Sequence, residues 1–188
     1  MPKRILSGMR PTAKLHVGNL LGALENWKKF EGQDSFFMIA DWHALTTEYK
    51  TPKIVRDSIR EVLVDWLSVG IDPKKVTLFV QSAIKEHAEL HLLLSMITPL
   101  GWLERVPTYK EQLRELEKRE IATHGFLGYP VLQAADIALY DGKGVPVGED
   151  QVSHIELARE IVRRFNHLYG ETLVEPKALV TTAPKLLG

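Results

Sequence analysis

Cysteine is absent from the 188-residue chain. That excludes disulfide cross-links and thiolate metal sites, and it agrees with a reducing compartment. An excess of one charge is absent too, since 24 Lys and Arg offset 24 Asp and Glu. No global basic field advertises nucleic acid, so any such contact must be local or carried by other segments. No run approaches the roughly 20 apolar residues needed to span a bilayer. Met1-Pro-Lys-Arg4 leads into an apolar strand without the long apolar region of a signal peptide. The expectation is a cytoplasmic protein with no membrane contact. Internal repeats and low-complexity tracts are missing, as are the Gly-x-Gly-x-x-Gly and Walker phosphate motifs. Apolar residues at 45% and charged residues at 26% suit one globular core.

What is present begins with Ser7-Gly-Met-Arg-Pro-Thr-Ala-Lys-Leu-His-Val-Gly-Asn19. A short strand, Arg4-Ile5-Leu6, precedes it, and Leu20, Leu21, Leu24, Trp27 and Phe30 follow at helical spacing. Strand, small-residue turn and helix N-terminus together offer free N–H groups and a helix dipole to an anion. Gly8 and Gly18 leave room for a phosphate or sugar against the main chain. His16 stands where a donor or cation meets charge developing on a phosphoryl group. The same residues also fit an ordinary surface turn with an incidental histidine.

Ser35 to Ala40 reads as a strand buried on both faces, ending in Asp41-Trp42-His43-Ala44. Thr51-Pro52 opens an amphipathic helix with Ile54, Val55, Ile59, Val62, Leu63, Trp66 and Leu67 inward, stopped at Gly70. Val76 to Gln81 is the next strand, so residues 1–82 alternate β-α-β-α-β. Residues 83–125 break the alternation with a helix from Glu86 to Ile97 and a charged one from Tyr109 to Glu120. This is the pattern of a helical connective insertion. Its apolar residues, Leu90, Leu92, Leu93, Leu94, Met96, Ile97 and Leu100, fit either core packing or the interface of a homodimer. Residues 126–188 resume with a helix over Gly128–Tyr140, a strand Gly144–Gly148, a helix from about Val152 to Tyr169 and a last strand near Ala178. The fold class expected is α/β: a doubly wound, parallel, Rossmann-like sheet with a helical insertion.

Ligands of such sheets bind at the carboxyl ends of the strands. Ser7–Asn19, Asp41–His43 and Gly148–Gln151 should therefore converge, bordered by the helix carrying Tyr129, Gln133 and Asp136 at i, i+4 and i+7. For a nucleotide, Gly18 and Asn19 offer phosphate donors, Asp150 an acceptor for ribose, and Val147 with Gly148 a slot for the base. Tyr129, Gln133, Asp136 and Gln151 suit a zwitterion whose aromatic group bears one donor. The competing reading of Tyr129, Gln133 and Asp136 is a solvent-facing stripe, and that of Glu149 and Asp150 a helix cap.

Pro11-Thr-Ala-Lys-Leu-His-Val-Gly-Asn19 resembles the class I aminoacyl-tRNA synthetase signature His-Ile-Gly-His, with Asn19 in the last slot as in the tryptophanyl branch. Ala40-Asp-Trp-His-Ala-Leu-Thr46, Tyr129-x-x-x-Gln133-x-x-Asp136 and Val145-Pro-Val-Gly-Glu-Asp-Gln151 resemble bacterial tryptophanyl-tRNA synthetases in order and spacing. The resemblance implies a ligase that activates L-tryptophan with ATP and transfers it to tRNA(Trp). It implies His16 and Asn19 as catalytic residues. ATP would meet Arg10, Pro11, Thr12, Gly18, Asn19, Gly148, Glu149, Asp150 and Leu186. Tryptophan would lie among Leu6, His43, Tyr129, Gln133, Asp136 and Gln151, with Asp136 accepting the indole N–H and Tyr129 and Gln151 holding the ammonium. Mg²⁺ would travel on ATP, with no dedicated protein metal site.

Gln133 departs from the Met of much of this branch and is what tyrosyl-tRNA synthetases carry, whereas Leu6 stands where that family places a Tyr. The second family signature, Lys-Met-Ser-Lys-Ser, would follow residue 188, with the anticodon-reading domain beyond it. Residues 1–188 alone would then be poorly active. Alternatives from the same residues are a tyrosyl-tRNA synthetase, a non-catalytic amino-acid or nucleotide sensor, and another nucleotidylyl-transferring α/β enzyme.

Overall fold

The computed structural model describes residues 4–12, 23–106 and 122–180. Its strands are β1 (Arg4–Met9), β2 (Asp34–Ile39), β3 (Thr77–Val80), β4 (Gly144–Val147) and β5 (Lys177–Val180). They form one sheet in the order β3-β2-β1-β4-β5, each neighbouring pair parallel. β1 pairs with β2 from Arg4 opposite Asp34 to Met9 opposite Ile39, but with β4 at Ile5 opposite Gly144. The strand order therefore reverses between β1 and β4, which is the switch point where a doubly wound sheet opens a crevice.

The helices are α1 (Glu25–Lys28), α2 (Asp41–Glu48), α3 (Pro52–Ser68), α4 (Glu86–Ser95), α5 (Leu100–Leu103), α6 (His124–Leu127), α7 (Tyr129–Leu139) and α8 (Val152–Tyr169). Successive strand residues point to opposite faces, so two cores form. One joins Ile5, Phe37 and Ile39 to Leu24, Trp27, Val62 and Trp66. The other joins Leu6 and Val145 to Leu94, Val131, Ala134, Ala135, Ile155, Ala158 and Ile161. The alanines of α7 let it lie close to its neighbours, α4 and α8. Gly170, at φ 95°, ends α8 in a conformation that a side chain would strain.

Three expectations are corrected. The first strand does not stop at Leu6: Ser7, Gly8 and Met9 stay in the sheet. Gly8 fits because a Cβ there would stand 3.2 Å from Met38 Cε. On α3, Ile54 and Leu67 are exposed, because the stripe facing the sheet is Val55, Ser58, Val62 and Trp66. The apolar residues of α4 and α5, expected to act together as core or as interface, divide between two faces. Leu90, Leu94 and Ile97, at i, i+4 and i+7, pack into the core. Leu92, Leu93, Met96 and Leu100 point outward, with 57%, 54%, 70% and 64% of their surface exposed. The charged helix expected over Tyr109–Glu120 lies outside the described residues.

The Trp27 side chain closes the first core. It stacks on Phe37 at 4.5 Å and meets Trp66 edge-on at 4.9 Å. Its indole N–H donates to Ser7 Oγ at 3.0 Å, and that hydroxyl donates onward to the Pro146 carbonyl at 3.5 Å. A side-chain link thus joins β1 to β4 where the backbone ladder is short.

Candidate active site

Pro130 in its first turn starts α7, and two turns on from Tyr129 the helix carries Asp136 inward, 2% exposed. The solvent-facing reading of this stripe fails for Asp136. Its carboxylate accepts from His43 Nε2 at 2.6 Å, from His87 Nδ1 at 2.7 Å and from Gln81 Nε2 at 2.9 Å to each oxygen. An ionised carboxylate only accepts, so both imidazole nitrogens facing it carry hydrogens. Burial pushes the Asp136 pKa up, but the His43 imidazole, by charge and hydrogen bond, and the His87 hydrogen bond pull harder. The carboxyl is held below its usual range.

Each donor is itself anchored. Gln81, just past β3, accepts the N–H groups of Trp42 and His43 on its Oε1, at 3.1 and 3.3 Å. Those belong to the first turn of α2, where the helix leaves N–H groups without internal partners. Asp41 accepts the Ser82 N–H at 3.0 Å, so the ends of β2 and β3 are tied crosswise. His87 Nε2, on the far side of its ring, accepts the Tyr140 O–H at 2.9 Å.

Four contacts on about four lone-pair sites satisfy Asp136, but two of them come from the single Gln81 amide, so a ligand donor would take up one of that shared pair. Nearby polar atoms are unused: among the described residues, His43 Nδ1, Gln133 Oε1 and Arg10 Nε are buried without a partner. The Tyr129 ring meets His43 edge-on at 4.6 Å and His154 at 5.7 Å. Burial raises the Tyr129 pKa more than the charge of Arg10 lowers it, so its hydroxyl keeps its hydrogen.

Arg10 follows β1 and donates from Nη2 to Thr47 Oγ1 of α2. Pro11 beside it is buried, and the Thr12 N–H donates to the Arg10 carbonyl at 3.0 Å. Past β4, Gly148 leads into a 3₁₀ turn, Glu149–Gln151, with Glu149 and Asp150 exposed. Gln151 donates to Asp150 Oδ2 at 2.8 Å. Leu6 lies in the apolar core against α7 rather than in the polar cluster. His16, Gly18, Asn19 and Leu186 lie outside the described residues.

Sequence reasoning misses Gln81, His87, Tyr140 and Thr47. Gln81 carries a usable signal, being a polar residue at the carboxyl end of a buried strand like Asp41 and His43. His87 carries none, since Glu-His-Ala-Glu reads as an ordinary charged first turn.

Acid sensitivity follows from the same packing. Burial lowers the pKa values of His91 and His154, in each case against the opposing charge of a nearby aspartate. The unfolded chain therefore takes up protons near pH 6.5 while the folded chain resists, and stability falls as pH drops below that value. Asp136 adds a later loss, starting near its unfolded pKa of about 3.8 and ending as pH falls through the lower folded value. The urea midpoint should be lower at pH 5.5 than at pH 7.5, and His91→Gln should flatten the difference. An unchanged midpoint in the wild type would contradict this.

Among the described residues no helix is long and apolar enough to cross a membrane. The family model for tRNA synthetases class I (W and Y) matches residues 1–187. The tryptophan–tRNA ligase of Ralstonia nicotianae is 58% identical over 189 residues, covering 100% of this chain and 47% of that protein. That of Thermotoga maritima is 59% identical over 187 residues, covering 98% and 57%. Among solved structures, the Campylobacter jejuni tryptophanyl-tRNA synthetase complexed with ADP and tryptophan superposes with a TM-score of 0.85 at 40% identity, over 95% of this chain and 55% of that one. The chain thus spans about half the length of the relatives it matches. With a parallel sheet opening between β1 and β4 and a family match from end to end, the chain belongs to the class I tRNA synthetases of the tryptophan and tyrosine group.

Proposed function

We propose that this chain forms the tryptophan- and ATP-binding part of a tryptophan–tRNA ligase. The observation that carries the reading is Asp136, a buried, ionised carboxylate on which a ligand donor would take up one of the two contacts shared by the Gln81 amide. An indole N–H on a flat apolar ring is such a donor. Tyr129 and Gln151 would hold the ammonium, and the unpaired Gln133 Oε1 suits the same group. Arg10, Pro11, Thr12, Gly148, Glu149 and Asp150 flank β1 and β4 at the switch point and would face ATP, joined by Gly18, Asn19 and Leu186. His16 and Asn19 would act on the transferring phosphoryl group.

In the reaction, a tryptophan carboxylate oxygen attacks the α-phosphorus of ATP. The bond to the bridging oxygen breaks and pyrophosphate leaves; Mg²⁺ carried on the triphosphate would offset the charge of that leaving group. A terminal ribose hydroxyl of tRNA(Trp) then attacks the carbonyl carbon of the adenylate, forming the ester as the bond to the phosphate oxygen breaks and AMP leaves. No protein nucleophile is required. Catalysis is positioning of the two substrates and stabilisation of charge on phosphorus.

The test is exchange of labelled pyrophosphate into ATP by the complete gene product. Exchange should depend on tryptophan and be lost without it. Equal exchange with tyrosine, whose phenol also presents one donor, would assign the site to the other branch of the family. No exchange with either amino acid would favour a sensor.

A further inference from the structure

Asp136 and Tyr140 lie four residues apart, on one face of α7 and its C-cap, and a single imidazole spans them. His87, 0% exposed on the first turn of α4, donates to Asp136 at 2.7 Å through Nδ1 and accepts from Tyr140 at 2.9 Å through Nε2. Phe79 flanks the His87 ring at 6.0 Å and the Tyr140 ring at 5.2 Å. Nothing in the chemistry above uses His87 or Tyr140. A buried histidine needs only some partner, yet this one is fixed at both nitrogens in one tautomer and directed at one carboxylate oxygen.

We propose that His87 and Tyr140 are positioning residues that set the side-chain specificity of the site by fixing the plane of the Asp136 carboxylate. The inference rests on the tryptophan reading given above. The torsion that turns an aspartate carboxylate is soft. Gln81 bridges both oxygens and alone permits rocking, whereas His87 pins one oxygen from the side opposite His43. With the plane fixed, the lone pairs that the Gln81 amide shares point in set directions, and only a ligand N–H on one of those lines can take its place.

Tyr140 supports the arrangement by staying a donor. Burial first, and the negative charges of Asp136 and Glu86 after it, push its pKa up to about 12. The titratable groups acting on Asp136 or on this relay are His43 from α2, His87, His91 and Glu86 from α4, and Tyr129 and Tyr140 from α7 and its C-cap.

The test compares tryptophan with β-(3-benzothienyl)alanine, which has the same shape and no N–H, by calorimetric titration of the complete gene product. The wild type should prefer tryptophan strongly. His87→Leu should lower that preference by about tenfold or more, the scale for a lost buried hydrogen-bond partner. His87→Asn, whose amide can still donate toward Asp136, should restore most of it. Tyr140→Phe, which removes one oxygen and almost no volume, should lower it a fewfold, and it decides the matter if His87→Leu does not fold. ATP affinity should stay within about twofold in each folded variant.

Equal weakening of both ligands would mean a merely structural histidine and would overturn the inference, as would an unchanged preference in His87→Leu and Tyr140→Phe. A wild type that binds neither ligand overturns the tryptophan reading itself, and the inference with it.

Discussion

Replacing Asp136 by alanine should weaken tryptophan binding about a hundredfold and lower the melting temperature by about 10 °C, with ATP affinity nearly unchanged. On the proposed function, the binding loss would arise because the buried carboxylate is the acceptor for the ring N–H. The stability loss arises because the same carboxylate serves three side chains. Alanine leaves His43 Nε2, His87 Nδ1 and Gln81 Nε2 without their acceptor. Removing one partner of a buried charged network costs about 3–5 kcal/mol, and a domain of this size loses about 2–4 °C for each. Binding and folding are thus coupled through one residue, and no substitution of Asp136 should alter one alone. Calorimetric titration and thermal unfolding of the same sample check both halves. A melting shift below about 2 °C with unchanged tryptophan affinity would place the pocket elsewhere.

Trp27→Ala should cost about 3–5 kcal/mol, the range for removing a buried tryptophan. The ring is wedged between Phe37 and Trp66, and its removal opens a cavity that neighbours on three elements cannot fill. Trp27→Phe separates the packing from the hydrogen bond. It keeps an aromatic surface against Phe37 but leaves Ser7 Oγ without its donor, for about 1–3 kcal/mol. Ser7 bridges to Pro146 across the β1–β4 seam, so the Phe variant should also loosen that seam. Faster amide hydrogen exchange at Gly144 to Val147 than at β2 would report it. Equal exchange at both strands would mean that Ser7 contributes nothing to the junction.

The alternation of elements is legible in the sequence because the five strands are short apolar runs bounded by turn residues. α8 is the clearest case. Its inward positions recur at helical spacing, and Gly170 marks its end at the expected place. β1 is harder to bound, because Ser7-Gly8-Met9 looks like a turn locally and is held in the sheet only by pairing with Phe37, Met38 and Ile39. α4 misleads in another way. A run of leucines has no visible periodicity, and only packing on α7 divides Leu94 from the exposed Leu92 and Leu93. For the site, the spacing of Tyr129, Gln133 and Asp136 on one helix leads to the helix that carries the buried polar cluster. The partners of Asp136 come from positions 43, 81 and 87, on three other elements. No local pattern links them, and the choice among acids that appear equally polar in the sequence is made by burial alone.

The placement of β1 in the middle of the sheet also sets the order in which the chain can fold. As it leaves the ribosome, β1 can pair with β2, and β2 with β3, once Val80 has emerged. The other edge of β1 must wait for Gly144. At about 5–20 residues per second the stretch between Val80 and Gly144 takes several seconds to synthesise. A three-stranded half-sheet formed in that interval would present an open central edge, with unpaired backbone groups and an apolar face that α7 covers in the native fold. Such edges recruit other strands. Early pairing of β1 to β3 would thus expose the nascent chain to aggregation through the same strand order that forms the switch point.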